Sequence, residues 1–133
     1  VKDRVGSLED TSYAFKTLSK TATISNGSDA PVELPDVLKG IECAVSRTSI
    51  TDPAHTLNTK EALSLKEAID SYTIGGAYAS FQEHLKGKIE PGFLADFVIL
   101  EKSPYDVPVN QIHNISICET WLDGKKVYQN TKI

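Results

Sequence analysis

The side chains here that could do chemistry are three histidines, two cysteines, a carboxylate in a tight turn and an arginine at a helix end. His55, His84 and His113 stand 29 residues apart. None belongs to an H-x-H pair or an H-E-x-x-H run, the spacings that bring two imidazoles onto one metal. Each is expected to be solvated or lightly packed. Cys43 and Cys118 match no C-x-x-C spacing, so both are expected as buried free thiols, packing like small hydrophobes. Asn26-Gly27-Ser28-Asp29 is good turn chemistry in any protein, and taken alone it gives Asp29 no further role. Arg47 falls where a helix should close, and its charge suits that end of the dipole. Gly75-Gly76 does not follow a strand and is no dinucleotide fingerprint. The N-x-S tripeptides at Asn26 and Asn114 are too common by chance to imply glycosylation.

The elements that must position these residues can be read from periodicity. Residues 12–18 look like the end of a helix, with Tyr13, Ala14 and Leu18 available for packing. Thr21-Ala22-Thr23-Ile24-Ser25 is β-branched and alternating, which predicts a short strand running into the turn at residues 26–31. A helix is expected over Val37–Ser46, capped by Asp36, with Val37, Leu38, Ile41, Ala44 and Val45 along one face. Residues 47–62 read mainly as loop. Ser64-Leu65-Lys66-Glu67 is a capping box. The helix it opens carries Leu65, Ala68, Ile69 and Tyr72, and Gly75-Gly76 should end or kink it. After Gly87 the period becomes strand-like. Residues 95–101 form an apolar run, and residues 115–122 and 125–128 flank Asp123-Gly124, a type I′ hairpin signal. Trp121, beside that hairpin, is expected in the core.

Composition excludes some partners. The net charge is −4 with no basic block, which argues against nucleic acid, because phosphate binding needs clustered positive charge. No apolar run approaches the roughly 18–20 residues of a membrane span. The polar opening lacks the apolar region of a signal peptide, and the expected location is the cytoplasm. With 133 residues and no methionine, the chain reads as a segment of a longer protein.

Two stretches together resemble the amidohydrolase superfamily, in the branch known as amidohydrolase family 3. The first is Gly27-Ser28-Asp29-Ala30-Pro31-Val32-Glu33, with Gly40-Ile41 and Ala44-Val45-Ser46-Arg47 following. The second comprises Leu63-Ser64-Leu65-Lys66-Glu67-Ala68, residues 72–79, and Gly87-Lys88-Ile89-Glu90-Pro91-Gly92 with residues 94–100; the closing Asp123-Gly124-Lys125 also matches. The resemblance implies an α/β fold class: the last part of a (β/α)8 metal-dependent hydrolase barrel in residues 1–86, then the C-terminal strands of a small composite β-sandwich in residues 87–133. A complete barrel of this class takes about 250 residues.

By the same resemblance, Asp29 occupies the family's position at the end of strand eight, as metal ligand and as the base that takes a proton from the attacking water. The parent protein is then expected to hydrolyse C–N bonds other than peptide bonds in a small-molecule substrate, with a divalent metal, zinc foremost. The family's His-x-His pair, bridging Lys or Glu, and later His ligands have no counterpart here. One carboxylate cannot hold a catalytic zinc, which takes three protein ligands. The isolated chain is therefore expected to be inactive, to carry no metal and to self-associate as a homo-oligomer. The rival reading is a non-catalytic interaction or regulatory module, since some relatives are labelled exoenzyme regulators.

Overall fold

The computed structural model describes residues 2–132. The helices are α1 (Lys2–Val5), α2 (Phe15–Leu18), α3 (Val37–Ser46), α4 (Leu65–Tyr72) and α5 (Ile74–Ala79). They precede three strands, β1 (Phe97–Leu100), β2 (Ile117–Leu122) and β3 (Lys125–Gln129), joined in one antiparallel sheet of order β1-β2-β3. Short 3₁₀ helices at Gly6–Thr11, Thr59–Glu61, Pro104–Asp106 and Val109–Asn114 fill the connections.

α3 starts where Asp36 accepts a hydrogen bond from the Lys39 amide at 3.2 Å, satisfying one of the unpaired donors of the first turn. Its buried positions are Leu38, Ile41 and Glu42, while Val37 stays exposed. Ala44 and Val45 pack against the same core, so the expected stripe holds except at Val37, and it takes in a carboxylate besides. Arg47 ends the helix at φ 56°, its amide donating to the Cys43 carbonyl. Leu38 and Ile41 form the core with Leu63, Ala68, Ile112 and Ile115. The 3₁₀ turn at Val109–Asn114 therefore packs directly on α3. Cys43 is exposed and Cys118 half-buried: both thiols are free, but neither is buried, because Cys43 sits on the outer side of α3.

The capping box forms in full. Ser64 accepts from the Glu67 amide, and the Glu67 carboxylate accepts from the Ser64 amide. The helix then breaks two residues before the expected Gly75. Thr73, at φ −116° and ψ −86°, separates α4 from α5, and Gly75-Gly76 lie inside α5. Gly75 serves close approach instead: a Cβ there would sit 2.0 Å from the Ile24 carbonyl oxygen.

Two expected elements change character. Residues 23–28 run without helix or ladder, tied to α4 by Asn26, whose amide and side chain donate to the Ser71 carbonyl and hydroxyl at 3.1 and 2.9 Å. A strand needs a neighbour, and the three described strands pair only with one another. Residues 12–18 shrink to the single turn of α2. Tyr13 has a positive φ of 52° and breaks the run, leaving Tyr13 and Leu18 exposed while Phe15 packs on the core.

The hairpin appears as expected, with Asp123 and Gly124 at φ 50° and 70°, the signs a type I′ turn requires. Phe97 faces Trp121 across β1 and β2, and their rings stack 5.6 Å apart. Trp121 is half-buried on the sheet surface, not in the core, because its Nε1 donates to Glu119 and Lys126 lies over its ring. Among the described residues no helix is long and apolar enough to cross a membrane.

Candidate functional site

Asp29 sits in the turn between the extended segment 23–28 and α3. Its backbone is left-handed, φ 53°, a conformation Asp tolerates better than most residues. The turn is fixed by two backbone bonds, Val32 to the Asp29 carbonyl at 2.9 Å and Glu33 to the Ser28 carbonyl at 3.2 Å. Asp29 is exposed, and among the described residues its carboxylate enters no hydrogen bond or ion pair. An ordered turn thus presents an unspent carboxylate.

Beside this turn, Gly27, Ser28, Glu33, Asp36, Cys43 and Tyr72 line part of a cavity of about 480 Å³. Gly40 lets the Tyr72 ring reach it, since a Cβ at position 40 would lie 2.0 Å from the Tyr72 hydroxyl. Burial first, and the nearby Cys43 second, push the Tyr72 phenol above its ordinary 10.0. At neutral pH that hydroxyl keeps its proton and can donate a hydrogen bond.

The histidines do not gather around Asp29. His55 is exposed and pairs with Asp52, and His84 is exposed in a turn. His113 is not lightly packed: its Nδ1 lies 2.7 Å from the buried Glu42 Oε2, which also accepts from the His113 amide. The signal for that pair was Glu42 itself, one helical turn beyond Leu38 and next to Ile41. Arg47 donates from Nε to the Leu57 carbonyl and lies over the Phe15 ring; burial pushes its pKa below the ordinary arginine value. Among the described residues no three His, Cys, Asp or Glu side chains are grouped to hold a metal ion. Asp29 fits such an ion as one donor, and the donor set here is incomplete.

The amidohydrolase family model matches residues 5–128. The chain belongs to the amidohydrolase family. Family likeness extends to individual proteins. The chain is 39% identical over 132 residues to the putative amidohydrolase YtcJ of Bacillus subtilis, covering 98% of this chain and 24% of that protein. It is 35% identical to LONG AFTER FAR-RED 3 of Arabidopsis thaliana, covering 88% of this chain and 20% of that one. With the N-substituted formamide deformylase of Arthrobacter pascens the identity is 29%, covering 81% of this chain and 20% of the other. Among solved structures, the amidohydrolase of Thermotoga maritima superposes with a TM-score of 0.64 at 19% identity, covering 92% of this chain and 26% of that one. That likeness gives the α/β amidohydrolase fold. The chain spans about a quarter or less of the length of these relatives.

Proposed function

We propose that this chain is the part of a metal-dependent amidohydrolase that brings Asp29 to the reaction centre, the reaction being hydrolysis of a C–N bond other than a peptide bond. The observation that carries the reading is the unspent, exposed carboxylate of Asp29 on an ordered turn, inside a chain that matches the family over residues 5–128. The C–N assignment draws on the likeness to an N-substituted formamide deformylase. In this reading residues 21–25 supply the last strand of the (β/α)8 barrel, and the sheet of β1, β2 and β3 belongs to the composite β-sandwich.

A bound divalent metal, zinc foremost, lowers the pKa of coordinated water towards ~7. Asp29 has two tasks beside it. With the metal bound, Asp29 would be one of its donors, and the carboxylate would take the proton that the attacking water gives up. The backbone bonds at Val32 and Glu33 fix the turn from which the side chain projects. The remaining donors would have to come from elsewhere in the longer protein, since no group of three forms among the described residues.

Activity measurements test this. The longer polypeptide carrying the segment should hydrolyse an N-substituted formamide or a related C–N substrate. It should lose that activity to a chelator, and Asp29→Asn should lower kcat by roughly 10²–10⁴-fold, the usual span for a lost general base. The 133-residue chain alone should show no turnover above background. Turnover that survives both chelator and Asp29→Asn would sink the reading. A second reading, a non-catalytic interaction module, draws on the exposed apolar side chains Val32, Leu34, Phe81 and Ile89; turnover by the longer polypeptide that Asp29→Asn abolishes would remove it.

A further inference from the structure

Asn26-Gly27 is the one Asn-Gly step in the chain, and it lies where the extended segment enters the Asp29 turn. An asparagine before glycine can modify itself. The backbone nitrogen of the following residue reaches the side-chain carbonyl carbon most easily when no Cβ crowds its approach. Asn58, Asn110, Asn114 and Asn130 are followed by Thr59, Gln111, Ile115 and Thr131, whose side chains hinder that attack.

The backbone at this step leaves the nucleophile free. Residues 23–28 belong to no helix or ladder, and among the described residues the Gly27 amide donates to no acceptor. Gly27 is exposed, and nothing stands within 4 Å of where a Cβ would lie. The electrophile is the restrained partner. Asn26 is half-buried, its Nδ2 donating to the Ser71 hydroxyl at 2.9 Å and its amide to the Ser71 carbonyl at 3.1 Å. Ser71 is only 2% exposed and gives its own hydroxyl proton to the Ala68 carbonyl at 2.6 Å. Its oxygen is therefore fixed as an acceptor towards Asn26.

We propose that Asn26 is a site of spontaneous deamidation, with Ser71 as the restraint that sets its rate. When the Asn26–Ser71 bond opens, the Gly27 nitrogen gives up its proton to base and attacks Asn26 Cγ. The new N–C bond closes a five-membered succinimide, and the Cγ–Nδ2 bond breaks as ammonia leaves with a proton from solvent. Water then opens the ring at either carbonyl and leaves aspartate or isoaspartate at position 26. One water is consumed and one ammonia released. The product cannot restore the tie to α4. A carboxylate only accepts, so it meets an oxygen whose proton is already given to Ala68. Its charge also lies beside the last turn of α4, against the helix dipole.

Ageing of the full chain in mildly alkaline buffer, followed by trypsin and mass spectrometry, tests the site. Cleavage after Lys20 and Lys39 gives a peptide whose only amide side chain is that of Asn26. This peptide should gain one mass unit before any other does, and should split into two products of equal mass on chromatography. Gly27→Ala, which has room for its methyl group, should slow the gain about tenfold. Ser71→Ala should speed it several-fold at a temperature where the variant is folded, and the Gly27→Ala arm keeps the site testable even if Ser71→Ala fails to fold. Asn26→Asp should unfold at a lower temperature than the unmodified chain. A peptide that stays unchanged while the other asparagines react, a rate indifferent to Gly27→Ala, or an Asn26→Asp variant as stable as the original chain would each overturn the proposal.

Discussion

Gly75 and Gly40 each stand where a Cβ would lie 2.0 Å from another atom, but the atoms differ in kind. At Gly75 the obstacle is the Ile24 backbone carbonyl, which cannot move without displacing the segment that leads to Asp29. At Gly40 it is the far end of the Tyr72 side chain, which can swing. Gly75→Ala should therefore destabilise by about 2–3 kcal/mol, near the upper range for overpacking, while Gly40→Ala should change stability by less than about 1 kcal/mol, because the alanine also favours the helix. Urea unfolding of the two variants decides the matter, and equal losses would contradict it. Neither contact was legible in the sequence, since Ile24 and Gly75 meet only through the fold. Asp29 was legible as a turn residue from its neighbours alone. Its role came only from the wider resemblance, because a single carboxylate has no spacing to read. Glu42 was missed for a related reason: a charged residue in an apolar stripe is identified as buried only once His113, far along the chain, is seen to meet it.

Elements closed by local chemistry were read correctly. Asp36 and Ser64 cap α3 and α4 through bonds three residues away, and Asp123-Gly124 turns the hairpin by its own backbone preference. Elements that depend on distant partners were not. The β-branched run at 21–25 has the pattern of a strand and no strand beside it to complete the ladder. The α4 cap carries a pH dependence whose direction follows from its bonds. Glu67 is held at about 2, against an ordinary 4.5, by the Lys16 ammonium first, then by the Ser64 hydroxyl and amide. Since its folded pKa is depressed, the stability it contributes is complete above 4.5 and is lost as pH falls from there towards about 2. The contribution is modest, because the Lys16–Glu67 pair is about one-third exposed on each side. Thermal unfolding of Glu67→Gln and the unmodified chain should differ near neutral pH and converge in acid. Parallel curves across that window would show that Glu67 does not cap the helix in solution.

At the scale of the whole molecule, the core of Leu38, Ile41, Leu63, Ala68, Ile112 and Ile115 is small for 133 residues, and much apolar surface remains outside. Phe81 and Ile89 are each 85% exposed, and Val32 and Leu34 lie open near the Asp29 turn. Apolar surface left in water tends to become an interface, and the outer edge of β1 offers unpaired backbone groups to another strand. The isolated chain should therefore form dimers or larger assemblies at micromolar concentration. Light scattering that returns a clean monomer of 14.5 kDa would contradict this. The same incompleteness bears on chemistry, since an unspent carboxylate at Asp29 gains a role only when other donors are brought to it. The most direct test loads the longer polypeptide with cobalt(II) and compares metal content and visible absorption before and after Asp29→Asn. The expected result is a weaker site, by at least about tenfold as for other changes around bound metals, together with an altered absorption band. Identical metal content and an unchanged spectrum would contradict it.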